Sequence, residues 1–255
     1  MRILAVILWS LSLAFVSGCV SNATFEGGAI EQQSQAPLIL QEQPTPLNIV
    51  VIGGTAGIGL EVVKLALDRG HTVTAVSRNT NKLRLARPNL RKQDGNILNI
   101  QDMQRLLPGH DIIISSVGLA AGKRNVTLFS RGSSNIIKVM RETGQNRFIV
   151  VSAIGAGDSQ GHGGFLFDTL LQPLILGDDI DDKSRMEALI SEANIDYTIV
   201  RPAILTNQPA QQKYRILQQL QGIETGSISR QDVAHFIVSI AEQNAYIKEV
   251  VTLSD

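Results

Sequence analysis

A chain of 255 residues with 44% hydrophobic residues can bury a substantial core, and its composition carries no signature of disorder. Its 23 basic residues balance 23 acidic ones with no basic block, and aromatic residues make up only 4%. That argues against a phosphate-tracking nucleic-acid surface and against base-stacking platforms.

The first residues read as a targeting segment. Met1-Arg2 is a short positive start, and Ile3 to Val16 is an apolar run too short to span a bilayer comfortably. It ends in Val16-Ser17-Gly18-Cys19, which resembles a bacterial lipobox, whose Cys becomes the lipid-modified N-terminus after cleavage. An ordinary signal peptide, or an anchor helix with an incidental Cys, is the alternative. Cys19 is the single cysteine of the chain, so no intramolecular disulfide can form. The expected organisation is a signal peptide over residues 1–18, a lipidated tether over 19–46 and a folded domain over 47–255. The tether is rich in Gln, Ser, Pro and Glu and cannot offset the entropy of ordering. Anchored at Cys19, the domain faces the periplasm or the cell exterior; a start downstream of the apolar run leaves it in the cytoplasm.

From Leu47 onward, short apolar β-rich runs alternate with segments of helical period. Leu47–Ile52 is the first expected strand, and it runs into Gly53-Gly54-Thr55-Ala56-Gly57-Ile58-Gly59. Ile58, Val62, Leu65 and Ala66 then mark one face of a helix. Strand, glycine turn and helix are the order a pyrophosphate site needs, because small residues let the backbone approach and the new helix points its free N–H groups at the anion. Strand Thr72–Ser77 ends at Arg78, about 20 positions past the glycines, where an acid favours NAD and an arginine accommodates the 2′-phosphate of NADP. A weaker strand spans Asn89–Gln93, and further strands span Asp111–Ser115, Arg147–Ser152, Tyr197–Arg201 and Lys248–Leu253. Val233, Phe236, Ile237 and Ile240 mark a late helix. This alternation predicts an α/β fold: a single Rossmann-type, doubly wound parallel sheet with helices on both faces.

Several segments resemble the atypical short-chain dehydrogenase/reductases, in particular the NmrA-like NAD(P)-binding group. Gly53 to Gly59 is similar to that family's glycine loop, with Ala56 where many members have Gly. Asp94-Gly95-Asn96-Ile97 resembles the turn after the third strand, with Asn96 where an Asp is expected beside adenine; an Asn still offers hydrogen bonds there. Ser115-Ser116-Val117-Gly118 resembles the strand end beside the cofactor ribose, and Val150-Val151-Ser152 the one near the nicotinamide. Asp182-Lys183 followed by Glu187 resembles the helix that, in this group, replaces the classical catalytic helix. Arg201-Pro202-Ala203-Ile204-Leu205-Thr206 and Ile228-Ser229-Arg230-Gln231-Asp232-Val233-Ala234 resemble two later family motifs. The resemblance implies an NADP site formed by Gly53, Thr55, Ala56, Gly57, Ile58, Gly59, Arg78, Asn96, Ile97, Ser116, Val117, Gly118, Ser152, Lys183 and Pro202.

The Tyr-x-x-x-Lys pair of the classical short-chain dehydrogenase/reductases is missing, because Arg201, Gln218 and Val250 stand four residues after Tyr197, Tyr214 and Tyr246. Tyr197 falls inside an expected strand and should pack in the core. Ser152 at a strand end and Lys183 on the following helix remain as catalytic candidates, against a satisfied strand-end hydroxyl and an exposed Lys183–Glu187 pair as the plainer alternatives. The loop Gly155–Gly177, with Gly161-His162-Gly163-Gly164 and the apolar Phe165-Leu166-Phe167 and Leu170-Leu171, reads as a substrate-covering lid. His162 fits a solvated loop residue better than an acid catalyst. Asp178, Asp179, Asp181 and Asp182 have no His or Cys partner at metal-ligand spacing, and acids before a helix beginning around Asp182 suit its dipole. No metal is expected. The expected activity is an NADP-dependent oxidoreductase acting on a small carbonyl, quinone or similar substrate; the alternative is a non-catalytic NADP-binding redox sensor or assembly scaffold.

Overall fold

Strand β1 (Asn48–Ile52) is buried along all but its first residue, as its unbroken apolar run requires of a strand covered on both faces. The computed structural model describes residues 45–120, 122–164, 168–169 and 176–255. The expected signal peptide, Cys19 and the tether up to residue 44 lie outside the described residues, as do Phe165-Leu166-Phe167 and Leu170-Leu171.

In chain order there follow α1 (Gly57–Asp68), β2 (Thr72–Ser77), β3 (Leu90–Asp94), α2 (Ile100–Leu106), β4 (Ile112–Ser115), α3 (Leu128–Thr143), β5 (Arg147–Val151), α4 (Gly177–Ser191), β6 (Asp196–Pro202), β7 (Ile204–Thr206), β8 (Arg215–Leu217), β9 (Ser227–Ser229), α5 (Arg230–Gln243) and β10 (Glu249–Ser254). The sheet runs β3-β2-β1-β4-β5-β6-β10-β8, parallel except where β8 pairs antiparallel with β10. Strand order reverses between β1 and β4, so a crevice opens there at the carboxyl ends of the strands. This is the expected doubly wound α/β fold.

Helices cover both faces. On one, Val62 and Ala66 of α1 meet Val233 and Ile237 of α5, all fully buried. On the other, Met103 of α2, Ile136 and Met140 of α3 and Ile190 of α4 form a second cluster. β3 (Leu-Arg-Lys-Gln-Asp) reads weakly because it is an edge strand, exposed along its charged residues. β7 and β9 form a separate two-stranded parallel pair, joining the Arg201–Thr206 motif to the Ile228–Ala234 motif. Neither they nor β8 carries a period that the sequence reveals.

α4 begins at Gly177, a turn and a half before the expected start around Asp182, so Asp178 and Asp179 lie in its first turn, where the dipole favours them. Asp182 has a different partner. Thr127 at the N-cap of α3 makes no side-chain cap, and the Asp182 carboxylate accepts instead from Phe129 N at 2.7 Å, Ser130 N at 3.2 Å and Ser130 Oγ at 2.5 Å. One helix thus caps another, which fixes α4 against α3.

Candidate cofactor site and active site

The glycine loop takes its shape from two close approaches. Gly53 has a φ of +87°, and a Cβ there would lie 2.5 Å from Ser116 O, so the turn out of β1 requires glycine. Its N–H donates to Val76 O at 2.8 Å, tying the loop to the end of β2. A Cβ on Gly59 would lie 2.3 Å from Gly53 O, which makes Gly59 the residue that lets α1 sit directly on the loop. Ala56, at the N-cap of α1, has no side chain with which to cap the first-turn N–H groups. The helix therefore presents an anion-binding end to the space in front of it.

That space is a cleft of about 820 Å³ at the strand ends. From the loop and α1 it is lined by Gly53, Thr55, Ala56, Gly57 and Ile58; from the ends of β2 and β3 by Arg78, Asn96 and Ile97. Ser116, Val117 and Gly118 line it after β4, and Ser152 and Lys183 close its far side. Two expected residues stand apart. Gly59 is buried behind the loop and acts through packing. Pro202, the last residue of β6, is not among the residues that line the cleft: it is in register with Leu253 of β10, and its carbonyl accepts from Ile154 N at 3.1 Å.

The cleft is electrostatically one-sided. Arg78, Lys123, Arg124, Lys183 and Arg230 line it, and among the described residues no Asp or Glu does, although the chain as a whole carries no net charge. Lys123, Arg124 and Arg230 are residues that sequence reasoning missed. The first two lie in an aperiodic loop with no motif; Arg230 was in view only as part of a helix-start motif. Its Nη1 donates to Thr206 O at 3.1 Å and Asn207 Oδ1 at 2.8 Å, which holds its Nε 4.0 Å from where a Gly57 Cβ would stand. Asn96 accepts at its Oδ1 from Leu98 N at 3.1 Å and donates its backbone N–H to Asp102 at 2.9 Å, so the turn is self-braced.

At the far side, Ser152 is buried, and its Oγ has no hydrogen-bond partner among the described residues. A buried hydroxyl without a partner is costly unless a ligand supplies one. Lys183 Nζ lies 3.5 Å from Ser152 O and 4.9 Å from the centre of the Phe129 ring. Burial pushes its pKa down, with Asp179 and Glu187 pulling it back up. The expected exposed Lys183–Glu187 pair is not what forms. Both Glu187 oxygens are taken by Arg201, at 3.0 Å and 2.5 Å, both side chains being only 6% exposed, and Arg201 Nη1 reaches Asp158 at 2.5 Å. Gly157 passes so close to this pair that a Cβ would lie 2.5 Å from Arg201 Nη2.

None of the three tyrosines lines the cleft. Tyr197 is buried in β6, as its strand position predicts. Tyr214 bonds His235 at 2.8 Å, and burial, with Asp232 adding to it, pushes its pKa up to about 12. His162 is pinned away from the cleft, its ring bonding Ile223 O at 2.9 Å and its carbonyl accepting from Thr225. The described residues of the expected lid, 155–164, 168–169 and 176–177, do not line the cleft, and Asp158 among them pairs with Arg201. Among the described residues no group of three His, Cys, Asp or Glu is placed to hold a metal ion.

A family model described as NAD(P)H-binding matches residues 53–244, from the first glycine of the loop to the end of α5. The chain belongs to this NAD(P)H-binding family. The protein is 24% identical over 214 residues to the photosystem II assembly factor Ycf39 of Synechocystis, a match covering 80% of this chain and 61% of that one. It thus spans about three-fifths of that relative's length. Its fold resembles that of the oxidoreductase ylbE from Lactococcus lactis, with a TM-score of 0.71 at 22% identity, covering 82% of this chain and 91% of that one. A short-chain dehydrogenase/reductase from Veillonella parvula, solved in complex with NADP, has a TM-score of 0.69 at 15% identity, covering 82% and 94%. An NAD(P)H-binding protein of this fold needs an uncapped helix end and a glycine turn that lets the backbone approach the pyrophosphate. The residues present fit such a dinucleotide.

Proposed function

We propose that this protein is an NADP-dependent oxidoreductase that reduces a small carbonyl, quinone or similar acceptor. The observation that carries the reading is the unpartnered, buried Ser152 hydroxyl beside the Lys183 ammonium, at the strand ends of an acid-free cleft. NADPH, when bound, supplies the hydride. The N-terminus of α1 holds its pyrophosphate, and Arg78, exposed at the end of β2, meets its 2′-phosphate with a bidentate fork. Asn96 donates to the adenine edge. Ser152 Oγ donates to the reacting half of the cleft, and Lys183 Nζ stabilises the acceptor oxygen as it gains negative charge, then passes it a proton. Its depressed pKa eases that release. Arg201 and Glu187, behind Lys183, keep the wall rigid.

A second reading, a non-catalytic NADP-binding redox sensor or assembly scaffold, is favoured by the absence of a tyrosine from the cleft wall. In either case, acyl chains on Cys19 hold the domain to a membrane in this proposal. Calorimetry on the full chain and on Arg78→Glu tests the cofactor choice. NADPH is expected to bind at least about tenfold tighter than NADH, and Arg78→Glu to erase that margin. Equal affinities in the parent chain remove the NADP assignment. NADPH binding without oxidation by any of a panel of aldehydes and quinones selects the sensor or scaffold reading.

A further inference from the structure

The five cations of the cleft fall into two groups along the sheet. Arg78 follows β2 and Arg230 stands beside Gly57, both on the glycine-loop side. Lys123 and Arg124 lie in the loop joining β4 to α3, with Lys183 beyond β5 on α4. A dinucleotide's phosphates account for the first group, because they lie against the helix end and the β2 terminus. In the second group Lys183 reaches Ser152 O just beyond β5 and Arg124 reaches Asp178 in the first turn of α4, the side of the cleft left for the hydride acceptor.

Among the described residues no carboxylate side chain lines the cleft beside that second group. Arg124 makes a single loose contact with Asp178 at 3.5 Å while its side chain stays 74% exposed, and Lys123 forms no ion pair among the described residues. Beneath them the wall is apolar, built from Val117, Leu119, Val126 and Leu128. An apolar wall with cations at its rim is complementary to a molecule whose hydrocarbon body lies inward and whose anionic group lies outward.

We propose that the acceptor reduced in this cleft is an apolar, carboxylate-bearing molecule whose acid group is held at the rim by Lys123 and Arg124. This rests on the cofactor reading above, which places the acceptor over β4 and β5. Lys183 then serves the reacting oxygen, and the rim pair serves the carboxylate. Recognition and chemistry are divided between two sets of cations.

The test uses the full chain and two probes that differ in one charge. The chain is first titrated with NADP+ by calorimetry, then, saturated with NADP+, with 2-naphthoate and with the neutral isostere 2-naphthamide. The acid is expected to bind at least about tenfold more tightly, the effect of one charge-assisted hydrogen bond. The double variant Lys123→Gln, Arg124→Gln is expected to lose that preference and keep the parent affinity for NADP+; Lys123→Arg alone is expected to retain the preference. Equal affinity for acid and amide, including no measurable binding of either, overturns the proposal. So does a double variant that keeps the preference, or one that loses NADP+ affinity, which assigns the rim pair to the cofactor. A parent chain that does not bind NADP+ in the first titration gives a different result: the cofactor reading falls, and the subsite falls with it.

Discussion

Lys183 stands where its charge is disfavoured, and that has a thermodynamic consequence. Its folded pKa is depressed, chiefly by burial. Between the folded and unfolded pKa values the unfolded chain therefore binds more protons, so stability rises with pH across that window. Below the folded pKa the whole penalty is present. Lys183→Met keeps a chain of similar length against Phe129 and removes the charge. It is expected to raise the melting temperature by a few degrees at neutral pH and to flatten the rise in stability toward about pH 10. If Lys183 is catalytic, the same variant loses roughly a hundredfold in kcat. Melts across that pH range with single-turnover NADPH oxidation measure both, and a lower melting temperature with full activity would remove the residue from the site. Its burial was not legible in the sequence. An i,i+4 Lys–Glu spacing looks like a solvated pair, and only β6, by bringing Arg201 against Glu187, takes that partner away.

The element that most constrains the site is α1, seated on the loop through Gly59. A methyl group there meets backbone, not a flexible side chain, so either the helix or the loop must move. Gly59→Ala is expected to cost about 1–3 kcal/mol of stability. It should also weaken NADPH and NADH by the same factor, because the pyrophosphate grip is common to both. Denaturant unfolding and calorimetry check this; unchanged affinity for both cofactors would show that the helix end holds no phosphate. At this scale much was readable. β1, β2, β4, β5, β6 and β10 all begin and end within a residue or two of the apolar runs that announce them, since strands buried on both faces admit little else. β7 and β9 were not readable: three residues each, they exist because Ile204 and Ser227 are brought into register by β6 and α5. The start of α4 was hidden for another reason. Asp178 and Asp179 are as common in turns as in the first turn of a helix, and the contact with α3 decides between them.

For the molecule as a whole, charge is sorted rather than unbalanced: a neutral chain places five cations and, among the described residues, no acid on one cleft. No described helix is long and apolar enough to cross a membrane. A lipidated Cys19 predicts that Cys19→Ser is released from the membrane fraction, or remains as an unprocessed precursor held by its apolar segment. Fractionation with immunoblotting measures this. Normal processing and unchanged membrane recovery of the variant would exclude lipidation.

The sequence by itself determined the layer architecture, the glycine loop and the place of Arg78, because period, turn chemistry and strand ends are local properties of the chain. It also showed the lack of a Tyr-x-x-x-Lys pair, which is a matter of spacing alone. Tertiary structure decided which side chains share one space. Pro202 is drawn into β6 and away from the cleft, His162 is bound to the loop at Ile223, and Lys123, Arg124 and Arg230 are brought to the cleft from segments with no motif that marks a ligand. These outcomes depend on contacts between residues tens to more than a hundred positions apart, and such contacts are set by packing, which no local pattern encodes.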